Sequence, residues 1–365
     1  MTSRRSLLGM LGAGTALLAM PDVARASAKD FRPYERVLSD LAAQDKFAGT
    51  VLLTHRGKPV FTRSYGMANR ERGIPNSTDT VFGLASVSKI FTAVAIGQLA
   101  QQGRLGFHEP LGAYLDGFPA GVTLHHLLTH TSGVGRPALG GGAPPAWQSF
   151  DQAMAETLAI IRQTPPQFTP PGIEHRYSND GFWVLAAVVA HVSGQSYFDY
   201  VRERIFRPAG MTRTDFYSKP QVQADLSIAR PYWTQRDGSR ADFTASPFCP
   251  FTNGPAGGVY STIQDLAAFA SSSGTVLNGA FMDIITSGKV PLAPSALPSQ
   301  AQFYGYGHID AVTGDQRVHG HSGSGPGMAT RFDVFPDLGW ASIVLGNYDT
   351  NIDPIVAAAR AVVTG

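Results

Sequence analysis

Apolar residues between Phe31 and Ala43 fall at Tyr34, Val37, Leu38 and Leu41, the spacing of one helical face. The period then changes. Gly49 to His55 and Val60 to Tyr65 read as two strands, with Arg56-Gly57-Lys58-Pro59 as the hairpin turn between them. A loop through Asn69–Thr80 leads to a run, continuing to about Gln102, that is apolar nearly all round, which predicts a buried helix. Between 105 and 250 no clear strand alternation occurs. Apolar spacing there predicts helices at Leu124–Leu128, Ala153–Ile161, Asn179–Val192 and Tyr197–Phe206, the last closed by Pro208 and Gly210. Residues 135–149, rich in Gly, Pro and Ala, predict a loop. After Gly254-Pro255-Ala256-Gly257-Gly258, Ser261 or Thr262 caps a helix carrying Leu266, Phe269 and Ala270. Strand-like runs follow at Phe303–Ile309, Arg317–His321, Met328–Phe335 and Trp340–Tyr348. Turns at 313–315 and 337–339 make them hairpins, and a last helix spans Pro354–Val362.

The simplest arrangement of these elements is α+β. An antiparallel sheet is built from both ends of the chain, flanked by the N- and C-terminal helices, with a mainly helical inserted domain. The expected division is 27–103 with 254–365 for the sheet domain, and 104–253 for the helical domain. No internal repeat or low-complexity linker interrupts it.

Composition changes this picture mainly at the start. Residues 1–26 read as an export signal: Arg4 and Arg5, an apolar run from Leu7 to Met20, and the small-x-small site Ala24-Arg25-Ala26. Cleavage after Ala28 is an equal option. Ser3-Arg4-Arg5-Ser6-Leu7-Leu8 resembles a twin-arginine leader, with Leu7 and Gly9 where Phe and Lys are common, so twin-arginine and general secretion both stay open. An exported protein, periplasmic or secreted, is expected. Removing the leader leaves 26 basic and 26 acidic residues, so the formal charge of +2 is a leader effect. A neutral chain offers no basic field for nucleic acid. No later apolar run is long enough to span a membrane. Cys249 is the only cysteine, which excludes an internal disulfide. At 43% hydrophobic residues, a sizeable core is expected.

Candidate chemistry begins at Ser86-Val87-Ser88-Lys89. At this spacing Ser86 and Lys89 share one helical face. A serine hydroxyl needs a base within reach, and Lys89 becomes one if burial among Ile90, Phe91 and Val94 lowers its pKa. The helix start adds backbone N–H groups where an oxyanion would form. On these four residues alone, a helix cap beside a solvated lysine is the favoured reading. Tyr177-Ser178-Asn179 precedes a predicted helix. Tyr177 moves protons through its phenol, given a nearby cation to lower its pKa. Asn179 both donates to a substrate carbonyl and accepts from an N–H, or caps the helix. In His319-Gly320-His321-Ser322-Gly323-Ser324-Gly325, dense glycines bare an edge strand on which a substrate backbone can lie, with the Ser324 N–H aimed into a cleft.

These three motifs, in this order and spacing, resemble the serine β-lactamase and D,D-peptidase superfamily. The similarity is to its class C branch, with D-aminopeptidases and family VIII carboxylesterases. Leu127–Gly133, Pro171-Gly172 and Gly257–Thr262 are similar to further stretches of that family, and the likeness covers roughly 35–360. It implies a β-lactamase/transpeptidase-like fold and no cofactor. It implies Ser86 as the acylated nucleophile, Lys89 as its base and Tyr177 as the proton shuttle. Asn179, His321, Gly323 and Ser324 would bind substrate, and the backbone N–H groups of Ser86 and Ser324 would form the oxyanion hole. The third motif begins with His321 where β-lactamases of this branch carry Lys, which argues against efficient β-lactam hydrolysis. The expected activity is hydrolysis of esters or D-amino-acid peptides and amides, some of them cell-wall derived, with β-lactamase as the alternative.

Two other readings remain beside it. A non-catalytic binding or sensor protein of this fold would usually have lost Ser86, Lys89 or Tyr177. A metal enzyme is hinted at by His126 and His130 four apart and by His319 and His321 on one strand face, but no third ligand is evident. There is no Gly-x-Ser-x-Gly elbow of an α/β-hydrolase.

Overall fold

Strands from the two ends of the chain are neighbours in one antiparallel sheet. The structure, a computed structural model, describes residues 29–136, 144–272, 274–294, 297 and 301–365. The expected export signal lies outside these residues. Helix α1 (Arg32–Ala43) leads into β1 (Gly49–His55) and β2 (Lys58–Tyr65), joined at Arg56-Gly57. The second half supplies β3 (Val290–Pro291), β4 (Ala301–Tyr304), β5 (Ile309–Thr313), β6 (Gln316–Gly325), β7 (Met328–Phe335) and β8 (Trp340–Gly346). The strand order is β3-β4-β5-β6-β7-β8-β1-β2. Every neighbouring pair is a local hairpin except β8 with β1, which runs in register from Gly49 opposite Gly346 to His55 opposite Trp340.

Alternation along the central strands sorts side chains to the two faces. Val51, Leu53 and Val344 pack with Tyr34 and Leu38 of α1 and with Ile355 and Ala359 of the C-terminal helix Asp353–Thr364. Leu52, Ile343 and Leu345 join the larger core on the opposite face. With both faces covered, β1 is buried from Gly49 through Thr54 and its centre, Val51-Leu52-Leu53, is apolar on both faces. The edge strand β2 starts with exposed Lys58, Pro59 and Val60, which discourages further pairing.

The larger core holds the helix Lys89–Gln101, buried from Lys89 through Leu99, packed against Asn179–Ser193. The middle of the chain is helical as expected, but it also contains short strands at Asp215–Phe216, Tyr232–Thr234 and Arg240–Asp242. Two or three residues are too few to leave an alternation in the sequence. The run Phe303–Ile309 is not one strand. Gly305–His308 turns between β4 and β5, with Gly305 N–H on the His308 carbonyl at 2.7 Å and Gly307 at φ +62°. Tyr304 and Tyr306 imitate a strand's alternation while the glycines make the bend. The helix at Tyr197 also changes character, passing at Arg202 into a π turn that ends at Phe206.

Beyond Gly320, β6 has a partner on one side only. Its last pair with β5 is Gly320 opposite Ile309, whereas pairing with β7 continues to Gly325 opposite Met328. The open edge of this half-strand faces the start of the buried helix.

Candidate active site

Ser86 sits in a 3₁₀ turn, Ala85–Ser88, that runs directly into the helix beginning at Lys89. Ala85 has φ +46°, a left-handed conformation that costs a non-glycine residue roughly 1–2 kcal/mol. The surroundings hold it there. Leu84 N–H donates to the Val259 carbonyl at 2.9 Å, and Thr330 Oγ1 donates to the Leu84 carbonyl at 2.8 Å. Ser88 Oγ accepts from Val259 N–H at 3.1 Å. Strand β6 can approach because residue 323 is glycine: a Cβ there would lie 2.2 Å from the Leu84 carbonyl oxygen.

Lys89 is fully buried, and its Nζ donates to Ser86 Oγ at 3.1 Å, Asn179 Oδ1 at 2.7 Å and the Ala256 carbonyl at 2.7 Å. Burial pushes its pKa well below the ordinary lysine value. The three acceptors match the three protons of an ammonium. With one proton gone, the amine still donates to Asn179 and Ala256 and turns its lone pair to the Ser86 hydroxyl. Asn179 is free for this because Ser178, not Asn179, caps the following helix, its Oγ accepting from Gly181 N–H at 3.2 Å.

Tyr177 lies beside this pair, with Lys89 Nζ 4.9 Å from its ring centroid. Its hydroxyl is buried without a well-formed hydrogen bond, and the one neighbour acting on its titration is the Ser86 hydroxyl. A cation was expected to lower the pKa of this phenol. Instead burial raises it, and the Ser86 hydroxyl offsets that only in part. Tyr177 is therefore a neutral phenol rather than a phenolate.

Ser86, Asn179 and Ser324 line one cleft of about 680 Å³, with Trp147, Trp183 and Phe248 on its walls. Ser86, second in its turn, has a backbone N–H with no carbonyl partner inside the turn. A separate cavity of about 500 Å³ shares no lining residue with this cleft. His321 does not face the substrate space. It is 2% exposed, with Nε2 on the Tyr304 hydroxyl at 2.9 Å and Nδ1 on the Ser322 carbonyl at 2.5 Å. Burial first, then the Lys89 charge, push its pKa down to about 3. A neutral, occupied imidazole therefore stands where the resemblance led us to expect a substrate-binding side chain. Gly323 likewise packs against the turn that carries Ser86.

Three participants were not anticipated from the sequence. His130 packs against Tyr177 with centroids 4.2 Å apart and the rings tilted by 39°, Tyr304 bridges the imidazoles of His130 and His321, and the Ala256 carbonyl holds Lys89. The available signals were the glycine- and proline-dense stretch around Ala256 and the two aromatics beside Gly305. His126 and His130 do separate work, since His126 closes the capping box of Leu124–Leu128. Among the described residues, no group of three or more His, Cys, Asp or Glu is arranged to hold a metal ion, and no helix is long and apolar enough to cross a membrane.

A family description, Beta-lactamase, matches residues 34–364. The chain is 35% identical over 188 residues to a penicillin-binding protein of Bacillus subtilis (strain 168), covering 51% of this chain and 41% of that protein. It is 32% identical over 202 residues to Esterase EstB of Burkholderia gladioli, covering 50% of this chain and 51% of that protein. The chain thus spans about half the length of these curated relatives. A crystal structure of a penicillin binding protein from Bacillus halodurans superposes with a TM-score of 0.74 at 28% identity, covering 90% of this chain and 98% of that one.

Proposed function

The chain belongs to the β-lactamase family of serine hydrolases, and from that premise we propose that it cleaves neutral carboxylic esters through an acyl-enzyme on Ser86. The observation that carries this is the buried Lys89 amine 3.1 Å from Ser86 Oγ. Neutral Lys89 takes the hydroxyl proton as Oγ attacks the ester carbonyl. The tetrahedral oxyanion lies against the backbone N–H groups of Ser86 and Ser324, each such donor contributing about 10²–10³ in rate. Tyr177 gives its proton to the departing alkoxide and recovers one from Lys89. Water then surrenders a proton to the same pair and attacks the acyl carbon, and Oγ leaves with a proton to regenerate Ser86. Asn179 orients the substrate from the cleft wall.

Aromatic walls at Trp147, Trp183 and Phe248, together with an occluded, uncharged His321, favour an apolar acyl group over a carboxylate-bearing one. A second reading, D-amino-acid peptides or amides, is favoured by the open edge of β6 from His321 to Gly325, where an extended substrate backbone can pair. The leader over 1–26 supports export, and sequencing the N-terminus of the protein recovered outside the cytoplasm tests it.

The experiment is hydrolysis of p-nitrophenyl butyrate and of a D-Ala-D-Ala peptide by wild type and Ser86→Ala, with intact mass after benzylpenicillin. Wild type should turn over the ester, and the variant should lose about 10⁴-fold or more. Equal turnover by the two proteins sinks the reading. Peptide cleavage with a trapped penicilloyl adduct transfers it to D,D-peptidase chemistry, and rapid penicillin consumption to β-lactamase.

A further inference from the structure

Four hydrogen bonds run in series behind Tyr177. Ser178 N–H meets His130 Nδ1 at 3.1 Å, and His130 Nε2 meets the Tyr304 hydroxyl at 2.9 Å. The Tyr304 hydroxyl meets His321 Nε2 at 2.9 Å, and His321 Nδ1 meets the Ser322 carbonyl at 2.5 Å. The three side chains are 1–2% exposed. Both ends of the series are backbone groups with fixed roles, because an amide N–H only donates and a carbonyl oxygen only accepts. These ends leave one consistent direction. His130 Nδ1 accepts, so its Nε2 carries the proton and donates to Tyr304. Tyr304 must then donate to His321 Nε2, which leaves the His321 proton on Nδ1, donated to Ser322.

Four protons occupy four contacts, and a fifth has nowhere to go. Protonating His130 at Nδ1 sets it against the Ser178 N–H. Protonating His321 at Nε2 sets it against the Tyr304 hydroxyl, whose oxygen could accept a second N–H beside that of His130 only by withdrawing its own proton from the series. The charges around the series act in the same sense. His130 is faced by Lys89, His175 and His321, and His321 by Lys89, Arg331 and His308, all of which disfavour a further cation; Tyr177 is the titratable neighbour of Tyr304. Burial is the larger effect on both imidazoles, and both are pushed below the ordinary histidine value.

We propose that Tyr304 is a positioning residue of this site, its hydroxyl locking His130 and His321 in opposite neutral tautomers and so fixing the segment that carries Tyr177 and Asn179. Ser178 lies between those two residues, and its N–H is the first link of the series. The ring of His130 also packs, tilted, against that of Tyr177. A proton forced onto either imidazole breaks a link and adds a cation beside Lys89. This role rests on the hydrolase reading for its catalytic consequence, but the tautomers themselves do not.

The test is ¹⁵N NMR of histidine-labelled protein, with the two imidazoles assigned through His130→Gln and His321→Gln, alongside ester kinetics of Tyr304→Phe. In wild type, His130 should show the Nε2–H form and His321 the Nδ1–H form, neither titrating from about pH 8 to about pH 5. In Tyr304→Phe, which leaves both imidazoles buried but removes the donor to His321 Nε2, His321 should populate both neutral tautomers. The variant kcat should fall about tenfold with KM little changed. A purely packing role would leave the His321 tautomer as in wild type. An unchanged His321 tautomer in the variant, two like tautomers, or ordinary titration in wild type overturns the proposal. If Tyr304→Phe does not fold, the wild-type tautomers decide alone. If Ser86→Ala keeps full activity, the hydrolase reading falls while the tautomer result stands.

Discussion

Gly323 illustrates how much rests on one absent atom. An added Cβ would lie 2.2 Å from both the Leu84 carbonyl oxygen and Thr330 Oγ1, the pair that holds the turn carrying Ser86. Gly323→Ala should therefore cost about 1–3 kcal/mol in stability and at least about tenfold in kcat/KM, read by urea midpoint and ester kinetics. Two residues on, a Cβ at Gly325 meets only the flexible Met328 Cε at 3.2 Å, so Gly325→Ala should stay within about 0.5 kcal/mol of wild type. Lys89 supplies a pH signature. Burial lowers its pKa, and the proposed mechanism makes the free amine the active form, so kcat/KM should rise with pH through the lowered value and level off above it. Lys89→Arg, charged at every accessible pH, should remove that limb together with most of the activity. A pH–rate profile lacking the limb in wild type would remove Lys89 as the base. At this scale Ser86 and Lys89 were legible because they lie one helical turn apart. His130 was not, because the residues it touches in the site, Tyr177, Ser178 and Tyr304, lie 47 to 174 residues away along the chain.

The C-terminal helix is docked by charge as well as by apolar contact. Arg360 Nε meets Asp333 Oδ2 at 2.9 Å, and Arg331 Nε meets Asp333 Oδ1 at 2.6 Å, all three side chains being 1–5% exposed. Burial alone would raise the Asp333 pKa, but the two guanidiniums outweigh it by charge and hydrogen bonding and hold it below the ordinary carboxyl value. A depressed carboxylate contributes stability above its unfolded pKa and loses it as pH falls through the folded one. Thermal stability should therefore drop below about pH 4, and less steeply in Asp333→Asn. Asp333→Ala, which leaves two buried guanidiniums unpaired, should cost about 3–5 kcal/mol. The helix itself was readable from its apolar spacing. That Arg360 points inward was not, since an arginine in such a helix ordinarily marks the wet face. The same limit explains the run Phe303–Ile309: alternation is a property of local sequence, whereas the bend at Gly305–His308 is set by contacts such as the Tyr306 N–H on the Ile285 carbonyl at 2.8 Å.

One core joins the sheet to the helical middle of the chain. Leu52, Phe332 and Ile343 of the sheet lie in the same cluster as Phe182, Trp183 and Leu185. Variants keeping only Trp183 or only Trp340 should thus show the same urea midpoint, although the tryptophans sit in different regions. Two midpoints would instead show that the helical and sheet regions unfold as separate domains. The sequence by itself determined the α+β class, the closing of the sheet by both chain ends, the Ser86–Lys89 pairing and the family, because period, turn chemistry and short motifs are local properties. Only the tertiary structure decided that the His321 imidazole is buried and occupied by Tyr304 and Ser322, that the Tyr177 hydroxyl is buried, and that His130 and Tyr304 lie behind Tyr177. Those properties depend on burial and on which groups meet across long stretches of chain, and neither is encoded within a window of neighbouring residues.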